Sequence, residues 1–103
     1  MELDTFTFVL RRRGPRALEF TDEELAELQL GHLAFLDRMR AEGHLLLAGP
    51  FEDQDDETKR GLCIYRTGLD ETRRLIEEGD PSVRAGRMAV ETMTWLTQKG
   101  ALG

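Results

Sequence analysis

A chain of 103 residues suffices for one domain around one hydrophobic core and excludes a second. With 40% hydrophobic and 33% charged residues, its composition is that of an ordinary globular protein and excludes a disordered chain. A formal net charge of -6 argues against phosphate-backbone binding as the main task, because nucleic-acid binders present a basic face.

The start, Met1-Glu2-Leu3-Asp4, lacks the basic and apolar segments of a secretory signal. Thr5 to Leu10 then alternates, with Phe6, Phe8 and Leu10 on one side and Thr5, Thr7 and Val9 on the other. A period of two predicts a strand with one strongly apolar face. Arg11 to Glu19 reads as a loop broken at Gly14-Pro15. Thr21 and Glu24 form a capping-box pair, Asp22 and Glu23 suit the positive end of a helix dipole, and Phe20 with Leu25 predicts a hydrophobic staple. Leu25, Leu28, His32, Phe35, Leu36 and Met39 recur at three- and four-residue steps, one helical stripe, and Gly43 ends the helix at C′.

Leu45 to Ala48 predicts a short buried strand closed by Gly49-Pro50. No wholly apolar run exceeds its four residues, far below the roughly 20 residues of a membrane-spanning helix. Asp53 to Arg60 is an acidic loop, and Leu62 to Tyr65 a third strand, apolar on both faces. Cys63 lies in that strand. As the sole cysteine it permits no internal disulfide, and it reads as a small buried residue rather than a nucleophile. Cytoplasm is the expected location. Gly68-Leu69 opens a second helix stopped at Gly79, and Asp80-Pro81-Ser82-Val83 predicts a single helical turn with Asp80 as N-cap and Pro81 at N1. Met88 to Leu96 is the last strand and Lys99 to Gly103 a frayed tail, giving one domain over residues 1–98 with a tail over 99–103.

Strand, helix, strand, strand, helix, strand is the βαββαβ plan of a ferredoxin-like α+β sandwich, a four-stranded sheet with both helices on one face. Val9 opposite Phe8, Cys63 opposite Ile64, and Val90 opposite Met93 and Trp95 leave the other face apolar too. Soluble monomers rarely expose so large a patch, and a two-fold homodimer is the commonest cover.

His32 occupies the centre of the first helix's apolar arc, where a leucine is expected, so its ring must face the sheet or a cavity and find partners. By position alone a satisfied core histidine outweighs a catalytic one. Asp80 is the candidate partner, since it follows the helix that lies beside the first; as Asp before Pro it is equally an ordinary N-cap. His44 reads as a helix-end residue at the negative dipole terminus, and with no cysteine beside it and His32 a zinc site is not expected. The acids Glu52, Asp53, Asp55, Asp56 and Glu57 lack calcium-loop spacing and read as an exposed loop. Arg11-Arg12-Arg13 with Arg16 reads as a solvated basic run, with a second reading in which one arginine grips a substrate carboxylate at the mouth of a cleft.

His32-Leu33-Ala34-Phe35-Leu36, then Gly43-His44-Leu45-Leu46-Leu47-Ala48-Gly49-Pro50, then Asp80-Pro81-Ser82-Val83-Arg84-Ala85-Gly86 resembles the YCII-related (YciI-like) family over nearly the whole chain. The resemblance implies a ferredoxin-like dimeric α/β barrel, akin to muconolactone-isomerase-like proteins, with a His–Asp pair in a cleft. Those two positions are His32 and Asp80. A carboxylate bonded to one imidazole nitrogen fixes the tautomer and favours the charged ring, leaving the other nitrogen to move a proton. Such general acid–base work contributes about 10²–10⁴ in rate.

The expected function is therefore that of a small enzyme, lyase- or isomerase-like, acting without cofactor or metal on a small organic molecule. Ser82 offers a hydroxyl to the pocket, or is a solvent-facing residue of a capped turn. Gly49 and Pro50 are expected to shape the pocket wall by turning the backbone sharply. The alternative is a non-catalytic dimeric module that binds a small ligand or protein partner, with His32 purely structural. An RNA-binding ferredoxin-like domain fails on charge and on the missing aromatic strand pattern.

Overall fold

Seven elements run in order through the computed structural model, which describes residues 1–53 and 55–103. They are β1 (Leu3–Arg13), α1 (Asp22–Ala41), β2 (Leu45–Pro50), β3 (Lys59–Tyr65), α2 (Leu69–Gly79), the single turn α3 (Pro81–Arg84) and β4 (Met88–Gln98). The strands form one antiparallel sheet in the order β2-β3-β1-β4. That is the ferredoxin-like sandwich expected from the alternation of elements.

Helix α1 forms where its local signals place it. Thr21 Oγ1 accepts from the Glu24 amide at 3.1 Å, and Glu24 Oε1 accepts from the Thr21 amide at 2.9 Å, closing the capping box. At the other end Gly43, with φ of 82°, takes the left-handed position, and the amides of Gly43 and His44 donate to the carbonyls of Arg40 and Met39. Those two bonds make a Schellman motif, which glycine allows at no steric cost. His44 is thus the residue that follows the helix end, as expected.

The sheet differs from the sequence reading in one respect that matters for the site: the strands are longer. β1 continues through Arg11 to Arg13, and β3 starts at Lys59, because Arg11 pairs with Gly61 on one side and with Val90 on the other. Pairing partners that extend this far give the arginines ladder hydrogen bonds, so the loop expected at Arg11 begins only after Arg13. Likewise β2 does not end at Ala48: Gly49 pairs with Leu62 and Pro50 with Gly61. Gly49 and Pro50 therefore do not turn the chain. Proline is tolerated there because β2 is an edge strand with no neighbour to receive its missing N–H.

The sequence left open which side of β1 meets the helices, and in the structure the strongly apolar side faces away from them. Val9 belongs to the core cluster with Phe35, Met39, Leu45, Cys63, Tyr65 and Ile76. Strand alternation puts Thr7 and Arg11 on that same side. Phe6, Phe8 and Leu10 lie on the opposite face, in register with Trp95, Met93 and Glu91 of β4. There the Phe6 and Trp95 rings meet at 6.3 Å between centroids, while Trp95 and Met93 stay 37% and 44% exposed.

Lys99 and Gly100 are tied to the beginning of the chain. Lys99 donates its amide to Glu2 O and its Nζ to Glu2 Oε2, and the Gly100 amide donates to Asp4 Oδ2.

Candidate active site

Two glycines let α1 close onto the segment that follows α2. A Cβ on Gly31 would lie 2.8 Å from Pro81 Cγ, and one on Gly79 would lie 2.7 Å from Phe35 Cε1. A glycine inside a helix costs about 1 kcal/mol against alanine, and here the close approach it permits offsets that cost. The residue after Gly31 is His32. Its ring and the Asp80 side chain are brought together, 5% and 3% exposed.

Asp80 serves three donors with two oxygens. Oδ1 accepts from the Ser82 amide at 3.0 Å and from Ser82 Oγ at 2.7 Å. Oδ2 lies 2.8 Å from His32 Nδ1. The N-cap role and the histidine-partner role are therefore filled by one carboxylate, since the cap occupies only one oxygen. Burial raises the carboxyl's proton affinity, but the hydrogen bonds from His32 and Ser82 prevail and hold it below the ordinary aspartate value. Ser82 is buried, not solvent-facing, and its hydroxyl is engaged by Asp80.

On the far side of the ring, Arg11 Nη1 lies 2.9 Å from His32 Nε2. A guanidinium can only donate, so Nε2 must offer its lone pair and Nδ1 must carry the proton that goes to Asp80. This arrangement of partners suits the Nδ1–H tautomer, because a proton on Nε2 would face the Arg11 N–H head-on.

Arg11 also donates through Nη2 to Gly49 O at 3.3 Å, while its Nε is buried without a hydrogen-bond partner among the described residues. Its guanidinium fits beneath β3 because residue 61 is glycine. A Cβ there would strike both Arg11 Nη2 and the Gly49 carbonyl oxygen. Arg11 was legible only as one of several basic residues. Gly31 and Gly61 carried a usable signal, since an isolated glycine inside a helix or strand often marks close approach.

Above this row opens a cleft of about 720 Å³ lined by His32, Ser82, Gly49 and Pro50, by the apolar Leu25, Leu28, Leu33, Leu36, Ala48 and Met88, and by Arg11, Arg40, Arg60 and Arg87. Gly49 and Pro50 thus form part of its wall as stretches of an edge strand. Cys63 lies in the core below, where burial pushes its thiol up to about 11 and leaves it protonated. His44 is absent from the lining residues and stands 4.0 Å from Glu42. Among the described residues, no three His, Cys, Asp or Glu side chains converge in a way that would hold a metal ion. None of their helices is long and apolar enough to cross a membrane.

A ferredoxin-like α+β domain with a buried histidine–aspartate pair under an open cleft defines the class. Within it, the chain belongs to the family of the YCII-related domain, which matches residues 5–96. It is 33% identical over 84 residues to the uncharacterized protein YjpA of Bacillus subtilis, covering 82% of this chain and 89% of that protein. Among solved structures it is similar to the 5-chloro-2-hydroxyhydroquinone dehydrochlorinase TftG of Burkholderia phenoliruptrix, determined in complex with 2,5-dihydroxybenzoquinone. The TM-score is 0.61 at 22% identity, covering 92% of this chain and 95% of that one. It is also similar to SnoaB, a cofactor-independent oxygenase of Streptomyces nogalater, with a TM-score of 0.54 at 16% identity over 95% and 97% of the two chains. At these identities the two structures establish a shared fold.

Proposed function

We propose that this protein is a small cofactor-free enzyme in which His32 is the general acid–base and Asp80 orients it. One observation carries the reading. An imidazole at the floor of a cleft has its Nδ1 2.8 Å from a buried carboxylate, which leaves Nε2 as the nitrogen to take a proton. Nε2 would remove a proton from an acidic C–H or O–H of the ligand. The electron pair left behind forms a double bond, either expelling a leaving group (elimination) or drawing the same proton back at another carbon (isomerisation). A carboxylate behind the ring stabilises the imidazolium formed on the way. The fold shared with a dehydrochlorinase and a cofactor-independent oxygenase supports a small organic substrate.

The test is turnover of a panel of chlorinated hydroquinones, unsaturated lactones and keto acids, with exchange of solvent deuterium into the product read by mass spectrometry. His32→Gln and Asp80→Asn should each lose about 10²-fold or more. Equal turnover by His32→Gln and wild type would overturn the assignment.

The Arg11 contact favours a second reading. With both ring nitrogens partnered, His32 meets the description of a satisfied structural residue in a ligand-binding module. His32→Ala separates the two, since a purely structural role costs stability and leaves ligand response intact. In either case the sheet face bearing Phe8, Leu62, Met93 and Trp95 supports a two-fold dimer. Trp95→Asp should yield monomers by sedimentation, and an unchanged oligomer would place the interface elsewhere.

A further inference from the structure

We propose that the cleft selects a small organic anion, and that Arg11 leaves His32 Nε2 to hold the ligand's oxyanion together with Arg87. This deepens the reading of His32 as acid–base and rests on it.

Charge is the first observation. The chain carries a formal net charge of -6, yet its cleft is lined by four arginines and, among the described residues, by one carboxylate, Asp37. A solvated basic run would not gather arginines from β1, α1, β3 and the segment before β4 around one hollow. Their existing partners differ. Arg40 Nη1 stands 3.9 Å from Asp37, and Arg60 Nη1 donates to Glu57 O at 3.4 Å. The Arg87 guanidinium has no hydrogen bond or ion pair to a described residue.

Arg11 supplies the second observation. Its Nε is buried and unpartnered among the described residues, a state that native structures rarely leave unexplained. Among the described residues its two terminal nitrogens reach the imidazole Nε2 and the Gly49 carbonyl, neither of them an anion. An incoming carboxylate or enolate oxygen carries the opposite full charge, so it adds a direct Coulomb attraction and a fork-to-fork hydrogen-bond geometry that neither neutral acceptor offers the guanidinium. It can draw the guanidinium off Nε2, whereas a neutral amide or ester cannot compete. Arrival of the anion would thus uncover the Nε2 lone pair beside the ligand whose charge released it. The base stays covered until a ligand of the right charge is present.

The probes are benzoate and its neutral isostere benzamide, titrated into the intact protein by calorimetry and by ¹⁵N spectra of the histidine rings. Wild type should bind benzoate roughly tenfold or more tightly than benzamide, the worth of one charge-assisted bond. Benzoate should shift the His32 Nε2 resonance, and benzamide should not. Arg87→Gln and Arg11→Gln should each lower benzoate affinity about tenfold and leave benzamide unchanged. Arg73→Gln, outside the cleft, should change neither. Should Arg11→Gln fold poorly, Arg87→Gln decides alone. Equal affinity for the two probes, no binding of either at millimolar concentration, or undiminished benzoate binding by a folded cleft variant would each overturn the proposal. Affinity is read without turnover, so anion selection can hold with an inert histidine, and proton transfer can hold with a ligand chosen on other grounds.

Discussion

Replacing Asp80 by asparagine strains the site at both ends, and the size of the effect follows from the hydrogen bonds. Asparagine keeps one oxygen, which can still accept from the Ser82 amide and hydroxyl, so the N-cap survives; the two residues cap almost equally well. The position of Oδ2 becomes an NH₂ donor pointing at His32 Nδ1, which in the wild type is itself the donor. Imidazole must then move its proton to Nε2, where it meets the Arg11 N–H at a distance of 2.9 Å. One hydrogen bond to a charged group is lost, worth about 1.5–3 kcal/mol. In a domain of this size each 1 kcal/mol lowers Tm by roughly 4–8 °C.

The pH dependence carries a definite sign. Folding holds the Asp80 carboxyl below its ordinary value, so its contribution is complete above the unfolded value of about 3.9 and vanishes as pH falls through the lower folded one. Urea denaturation followed by circular dichroism should therefore separate wild type from Asp80→Asn at neutral pH and bring them together in strong acid. Long-range ¹⁵N–¹H spectra at neutral pH should show the Nδ1–H tautomer in wild type only. A wild-type ring protonated at Nε2, or an Asp80→Asn protein with unchanged stability and tautomer, would refute the reasoning.

Three further outcomes follow from the same geometry. Gly31→Ala should lower stability by about 1–3 kcal/mol, as overpacking does, although alanine is the better helix former. The new methyl pushes against the Pro81 ring, and the tautomer spectra should show His32 freed from Asp80. Gly61→Ala should displace the Arg11 guanidinium; a crystal structure of the variant with Arg11 still on His32 would contradict the packing account. Cys63, with its thiol pushed up to about 11, should resist a thiol reagent at pH 8 in the native protein and react fully once unfolded in urea.

Much of the site was legible because it is carried by local signals. His32 interrupts an apolar stripe whose period is visible in the chain, and Asp80 sits in an Asp-Pro helix start, so both residues stood out before any contact was known. Arg11 did not stand out. Nothing in a run of three arginines says which one points inward, and alternation along β1 makes Arg11 share a face with Val9 while Arg12 turns out to Glu91 and Asp56. Gly49 and Pro50 were misread for a related reason. A Gly-Pro pair signals a turn unless an edge strand is there to absorb it, and the edge exists only once β2 has found β3.

What the sequence by itself determined is the succession of elements, the two ends of α1 and the inward placement of His32, because caps and periodicity act within a few residues of chain. Tertiary structure alone decided which side of β1 meets the helices, how closely α1 approaches Pro81, and which arginine closes on the imidazole. Those outcomes depend on strand register and on contacts between residues far apart in the chain, such as His32 with Asp80 and Arg11 with Gly61. An alternating strand has two faces, and only pairing with its neighbours and packing against a helix tell them apart.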